Sequence, residues 1–546
     1  MASYQPKTAP DPNETGWPGG VPYIIGNEGC ERFSFYGMKS ILQVHLTALF
    51  VIAGIGDELA SEKHAQEMVH LFIAGVYAFP MIGAIIADRL WGKYNTILAL
   101  SLVYCAGHAV LAVGENSITG MYIGLALIAV GSGGIKPCVS AHVGDQFGKG
   151  NWNLVSKVFQ AFYWIINFGS FFATLAIPYL NKEYGTSVAF GIPGILMFIA
   201  TIWFWMGRKK FVHIPARPGG RTGALDAVSG SLLFMGFIGL PMFFTSILGT
   251  VAFWSTMAGC IILGLWLFGQ RQKIEEDDGF LAVMIYAAAS LVRGTSKKDA
   301  AEGEDDEFGV GRHWFFASAA KKFGPESTEG PRAVLRIISV FFLVSVFWAL
   351  FDQHSSSWIR QAKRMDLHLN MFGGIDLLPS QIGALNPLMV MLLIPFNNWG
   401  FYPLLEKLGL KLSPLRKMTM GMLMASVAFV AVALIQEAIE TVPEGGEKLS
   451  VMWQVIPYFI MTQAEVMVSI TGLEFAYTQA PQRMKSTIMG FWLLCVALGS
   501  KLVVIVTGLE GLSLSEFFWV FAGLMAAAAV LFGLRASVYT YRDYNH

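Results

Sequence analysis

Charged residues are scarce in this sequence. Of its 546 residues 14% are Asp, Glu, Lys or Arg, against roughly 25% in soluble domains. The 38 basic side chains balance the 38 acidic ones, which removes any bulk electrostatic drive toward nucleic acid, and no nucleic-acid partner is expected. Cysteine is scarcer still. Cys30, Cys105, Cys138, Cys260 and Cys495 lie in or beside apolar stretches with no paired spacing, so they read as small buried hydrophobes and not as disulfides or metal ligands. No Gly-x-x-x-x-Gly-Lys-Ser/Thr phosphate loop is present, which argues against ATP-driven work by this chain alone. No Thr-Val-Gly-Tyr-Gly filter marks a potassium channel. Neither a zinc motif nor a nucleophile–base pair points to catalysis, so an enzyme is not expected. Residues 1–20 are polar with Pro and Gly and lack the charged-then-apolar layout of a cleaved leader; the first apolar stretch is expected to stay in place.

What the chain does have is apolar length. Hydrophobic residues make up 54% and mean hydropathy is +0.52. A bilayer core of ~30 Å takes ~20 helical residues, and roughly fourteen stretches are long enough. They start near residues 21, 66, 94, 119, 153 and 185, run near 225–248 and 250–270, and start again near 333, 376, 415, 450, 484 and 514. Because the runs are continuous and not the alternating ten-residue segments of a barrel, the expected fold is all-α and polytopic. Six spans, two extra spans, a polar connector and six more spans suggest a transporter of two rocking bundles with its solute site near the midplane. The expected units are a cytoplasmic tail (1–20), a first six-helix bundle (21–212), two extra helices (213–271), a cytoplasmic linker (272–332) and a second six-helix bundle (333–546).

Loop charge sets the orientation. Arg89 and Lys93, Arg208 to Lys210, Lys411 with Arg416 and Lys417, and Arg483 with Lys485 share one side, cytoplasmic with both termini. Asp57, Glu58, Glu62, Glu437, Glu440, Glu444 and Glu447 take the other. Arg360, Lys363 and Arg364 violate this arrangement. In the linker, the acidic run 302–307 reads as solvated and disordered, and 312–322 as an amphipathic interfacial helix.

Four charges break the first apolar stretch: Glu28, Glu31, Arg32 and Lys39. One charge at a bilayer centre costs roughly 2.5–3.5 kcal/mol on insertion scales, so four in one span imply a polar cavity, a proton relay and a charged solute. Glu28, Arg32 and Tyr36 share a helical face at i, i+4, i+8. Lys136, mid-span before Pro137, needs a carboxylate partner, with Glu28, Glu31, Asp352 and Glu465 as candidates. Glu465 is a deep carboxylate in the second half, and facing the first-half bases it makes a dipolar cavity suited to a zwitterion. Asp352, near the outer end of its span, is placed to pair with a base across the halves. Asn167 and Asn386 either bond a solute backbone or a neighbouring helix. Asp88, Arg89 and Lys93, in Gly83-Ala-Ile-Ile-Ala-Asp-Arg-Leu-Trp-Gly-Lys93, form a candidate latch, to which Arg336 is added. This segment resembles the loop signature of the major facilitator superfamily.

Taken together, Glu28-x-x-Glu-Arg-Phe-x-x-Tyr-Gly37, Gly133-Gly-Ile-Lys-Pro137, Gly144-Asp-Gln-Phe147, Phe162-Tyr163, Phe347-Trp-Ala-Leu-Phe-Asp-Gln353, Gly472-Leu-Glu-Phe-Ala-Tyr477 and Gln479-Ala-Pro481 resemble the proton-dependent oligopeptide transporter family, in family order across nearly all twelve core spans. The two extra helices resemble a pair that bacterial members insert. The resemblance implies a symporter importing di- and tripeptides through a lipid bilayer, a bacterial inner membrane, as a monomer or weak oligomer. It implies no cofactor, protons serving as the coupling ion. Residue by residue, it implies proton coupling by Glu28, Glu31, Arg32 and Asp352, with His70 matching a coupling histidine of animal members. It implies peptide binding by Arg32, Tyr36, Lys39, Lys136, Asn167, Asn386 and Glu465, side-chain pockets shaped by Tyr163, Trp348 and Trp492, and an extracellular gate at Asp352. Departures are Lys39 where most peptide members carry Arg, Phe35 where they carry Tyr, and Ser469-Ile-Thr471 where bacterial members often show Ser-Pro-Thr. Competing readings are a carrier of nitrate or another anionic or zwitterionic solute, such as an amino acid derivative, and a non-transporting receptor on the same fold. Phe351 stands where the plant nitrate carrier has its binding His, against the nitrate reading.

Overall fold

A chain segment inside lipid has no water for its backbone, so each apolar run closes its own hydrogen bonds as a helix. In the computed structural model, which describes residues 7–542 apart from 245–248, 370–373, 411, 444, 480, 482–483 and 510, fourteen helices are long and apolar enough to span a membrane. They are α1 (Val21–Ile52), α2 (Glu58–Trp91), α3 (Lys93–Val113), α4 (Ile118–Gly144), α5 (Lys157–Tyr184), α6 (Thr186–Lys209), α7 (Gly220–Phe243), α8 (Thr250–Ile274), α9 (Pro325–Ala362), α10 (Pro379–Lys407), α11 (Pro414–Glu440), α12 (Val451–Ala476), α13 (Thr487–Thr507) and α14 (Leu514–Ser537). The all-α polytopic expectation therefore stands. Of the residues weighed above, Lys411, Glu444 and Arg483 lie outside the described residues, as do the side chains of Lys485 and Tyr477 and the expected last residues of the α7 span.

Buried apolar side chains gather in two large cores, one drawn from residues 21–211 and one from 334–532. Small residues let helices touch within them. A Cβ added at Gly83 on α2 would meet the Gly134 carbonyl oxygen of α4 at 2.7 Å, and one at Gly131 would meet the Tyr104 nitrogen of α3 at 2.7 Å. A smaller cluster joins the two cores: Ala74 and Ala78 of α2 meet Leu494 and Ala497 of α13, with Phe234 of α7 alongside. The inserted α7 and α8 are pinned by Arg271, whose Nε donates to the Asp226 carboxylate at 2.7 Å.

Several expected boundaries shift. Helix α2 begins at Glu58, not near 66, and α9 at Pro325, not near 333. Polar residues lengthen α2 beyond the apolar run because Asp57 caps its first turn, accepting from the Ala60 amide at 2.8 Å, and α9 opens on Pro325, which is preset for a first helical turn. The linker is more ordered than its acidic composition suggests. Asp306 accepts the backbone N–H groups of Phe308, Val310 and Gly311. Burial alone would raise its carboxyl, but these amides outweigh burial and hold it below the usual carboxylate value. The acidic run is thus a closed turn. The expected interfacial helix is confined to Ala317–Phe323, and Phe280–Val292 forms a further short apolar helix against it.

Two membrane carboxylates sit where helices change pitch. Glu465 opens a π-helical turn (Val466–Ile470), and Asp352 starts a 3-10 turn (Asp352–Ser355) that re-aims the rest of α9. Such irregularities are frequent at functional sites.

Candidate functional site: a buried acid–base cluster and a clasp between the halves

Helix periodicity places Glu28 and Arg32 one turn apart on α1, and Arg32 Nε donates to Glu28 Oε1 at 2.6 Å. The same nitrogen lies 3.4 Å from Glu31 Oε2. Glu31 Oε1 accepts from Ser132 Oγ of α4 at 2.9 Å, and the Lys136 ammonium stands 3.6 Å away. Of the four candidate partners for Lys136, Glu31 is the one it meets. Two acids and two bases thus neutralise one another in the first half, with Glu28 and Glu31 at 2% and 1% exposure. Such a cluster is poised, because removing one charge leaves a buried partner uncompensated. The Phe35 departure has a consequence here, since its ring lies 4.4 Å beneath the Lys136 ammonium, a cation–π contact that a phenyl ring supplies as well as a phenol.

In the second half Asn386 of α10 donates to Glu465 Oε2 of α12 at 2.7 Å and meets Thr462 Oγ1 at 3.2 Å. Tyr36 of α1 and Tyr163 of α5, from the first half, lie within electrostatic reach of the Glu465 carboxylate. Asn167 instead donates to the Tyr163 carbonyl of its own helix at 3.0 Å. Trp348 and Trp492 are buried edge to face, 6.0 Å between ring centres. Glu28, Glu31, Arg32 and Lys136 thus meet in the first half, and Asn386 meets Glu465 in the second. Lys39 does not join the Arg32–Lys136 group; its ammonium reaches Asp352 Oδ1 at 3.5 Å, while Ser500 Oγ of α13 donates to Oδ2 at 3.1 Å. Lys39 lies two turns further along α1 than Arg32, and that rise carries it to the level of Asp352.

Above this pair, toward the Asp57 end, polar side chains bridge the halves. His70 of α2 shares a 2.7 Å hydrogen bond with Ser356 of α9. Arg360 donates to Glu62 Oε2 at 3.2 Å and to Gln66 Oε1 at 2.6 Å, and Gln66 donates to Thr507 of α13 at 3.1 Å. Lys363 and Arg364 lie 3.6 and 3.8 Å from the Glu62 carboxylate. This accounts for the three basic residues on the acidic side: they face Glu62. Glu62 itself, read as a loop acid, is 5% exposed inside α2. Sequence reasoning missed Glu62, Gln66, Ser132, Ser356, Ser500 and Thr507. A polar residue near a span boundary or a serine in a helix carries no signal of its partner; only the α2 start at Glu58 could have moved Glu62 inside.

At the other end the candidate latch residues do not meet across the halves among the described ion pairs: Lys93 pairs within the first half, Arg89 with the inserted α7 and the linker, and Arg336 within the second half. Lys93 Nζ meets Asp145 Oδ2 at 2.7 Å, and Arg89 lies 3.6 Å from Asp226 and 3.8 Å from Asp277. The Asp88 backbone carbonyl accepts from the Arg217 amide at 2.9 Å. Arg336 donates to Glu329 at 2.6 Å, a carboxylate shared with Arg542 at 3.0 Å.

A family model described as POT family matches residues 94–512; the Glu28–Tyr36 motif precedes that range. The chain is 32% identical over 439 residues to "Peptide transporter family 1" of Drosophila melanogaster, covering 78% of this chain and 48% of that one. It is 32% identical to "Solute carrier family 15 member 1" of Homo sapiens, covering 79% and 54%. The chain spans about half the length of the curated relatives it matches. Among solved structures, the POT family transporter PepTSo superposes with a TM-score of 0.76 at 40% identity, over 96% of this chain and 98% of that one. A second, a "proton dependent oligopeptide (POT) family transporter", gives 0.69 at 40% identity, over 94% and 100%.

Proposed function

This chain belongs to the POT family, and from that premise we propose that it imports di- and tripeptides by proton-coupled alternating access. The observation that carries the reading is the opposed charge of the two halves: a neutralised acid–base cluster, Glu28–Arg32–Glu31–Lys136, across from the Glu465 carboxylate that Asn386 holds. A peptide has one fixed cation and one fixed anion. Its amino terminus meets Glu465, and its carboxylate meets Arg32 and Lys136 once these are released from Glu28 and Glu31. Protonation of either acid effects that release, so binding and proton uptake favour one another. Tyr36, Tyr163, Trp348 and Trp492 surround the side chains, where apolar walls tolerate many shapes.

The clasp of Lys39–Asp352, His70–Ser356 and Glu62–Arg360 closes the outer mouth. Breaking it exposes the cavity outward, the two six-helix units rocking about it while Arg89, Lys93 and Arg336 brace the inner ends. Both termini lie in the cytoplasm of a bacterial cell, and the protein works in the inner membrane with no cofactor. An inside-negative potential then adds about 2.3 kcal/mol per charge per 100 mV to inward movement.

Reconstitution in liposomes with labelled dialanine tests the reading. Uptake that requires an inward proton gradient, and is competed by di- and tripeptides but not by free alanine, is expected. Absence of uptake by the folded protein under either condition overturns it in favour of another anionic or zwitterionic solute.

A further inference from the structure

Beside the acid–base cluster, buried polar groups run through the interior of the first half. Tyr104 and His108 stand one turn apart on α3, both 0% exposed, with ring centres 5.1 Å apart. The Tyr104 hydroxyl lies beside Ser132, the residue that donates to Glu31. His108 is within electrostatic reach of Glu31 and close to the Phe190 backbone of α6. Helix α6 presses on it at Gly194, where a Cβ would meet the His108 Cβ at 2.7 Å. Beyond Phe190, toward the Asp57 end, the His45 ring packs edge-on to it at 5.4 Å and bonds the Glu115 carbonyl at 2.9 Å.

The atoms along this seam are left open. The Tyr104 hydroxyl and both ring nitrogens of His108 have no hydrogen-bond partner among the described residues. A buried polar group without a partner costs roughly 1–3 kcal/mol. Ordered water is the usual remedy where several such groups converge, each molecule making two to four bonds. Nothing in the peptide site uses these groups. Glu31 and the Tyr104 hydroxyl are the titratable groups facing His108 from α1 and α3, and His45 lies past Phe190.

We propose that His108, Tyr104 and Ser132 hold a buried hydration site that forms a second proton path, from the Asp57 end to Glu31 through the interior of the first half. The path bypasses the clasp of Lys39–Asp352 and His70–Ser356, so Glu31 exchanges protons while the outer mouth is shut. The proton passes as a hop: each group accepts on one side and donates on the other, ends as it began, and only Glu31 retains the proton. The proposal rests on the proton-coupling role given to Glu31 above.

The test compares gradient-driven dialanine uptake with counterflow exchange, in which labelled dialanine enters against unlabelled dialanine at equal pH on both sides. In His108→Phe and Tyr104→Phe the ratio of gradient-driven to exchange rate is expected to fall by about tenfold or more. His108→Gln, which keeps a hydrogen-bonding group, should restore part of it. Radiolytic hydroxyl-radical footprinting of the wild type should label Tyr104 despite its burial, since bound water is the radical source. An unchanged ratio, or equal loss of both modes, overturns the proposal, as does a Tyr104 that escapes labelling. A wild type without gradient-driven uptake instead overturns the transport reading, while the footprint still reports on the hydration site.

Discussion

Lys39 and Asp352 meet across the two halves of the molecule, 3.5 Å from ammonium to carboxylate, with 6% and 4% of their side chains exposed. Neither has another counter-ion of opposite charge among the described ion pairs, and each comes from a different bundle. The pair is therefore both an electrostatic bond and a distance gauge between the halves.

Asp352→Asn keeps the shape and the Ser500 contact but leaves the Lys39 charge buried without its partner. Breaking a buried pair from one side costs about 3–5 kcal/mol, and the molecule avoids that cost by parting the halves to hydrate Lys39. The expected outcome is a wider separation at the Asp57 end, read by spin-label distances between α1 and α9, with gradient-driven uptake reduced by roughly tenfold or more.

Glu62→Gln acts one level further out. Arg360, Lys363 and Arg364 converge on this carboxylate, and without it three cations face one another at the closed mouth. Loss of a charge-assisted bond costs about 1.5–3 kcal/mol. The same spin-label distances should lengthen, and more at low ionic strength than at high, because salt screens the remaining repulsion.

Glu465→Gln preserves the Asn386 neighbour but removes the charge proposed to hold the peptide amino terminus. The KM for dialanine should rise by roughly tenfold to a hundredfold, the worth of one charge-assisted hydrogen bond. Wild-type-like binding measured by calorimetry would remove Glu465 from the site.

Gly83→Ala tests packing, not chemistry. Its Cβ would strike the Gly134 backbone, and backbone cannot rotate away as a side chain can. Overpacking costs about 1–3 kcal/mol, so thermal unfolding in detergent should occur several degrees lower, while Gly144→Ala, with nothing within 4 Å, should leave it unchanged.

Composition and apolar run length by themselves determined that this is an all-helical membrane protein of about fourteen spans, because lipid admits only helices and closed barrels and the continuous apolar runs lack the alternation of a barrel. The i, i+4 spacing of Glu28 and Arg32 determined their ion pair, a local contact that helix geometry dictates. The charge of Lys136 required an acid, but choosing Glu31 over three other acids took the packing of α4 on α1. Only the tertiary structure decided that Lys39 pairs with Asp352, that Glu62 is buried against Arg360, and that Tyr104 and His108 stack inside the first half. The first two contacts join residues far apart in the chain, and no local pattern of hydropathy or spacing encodes which helix faces meet.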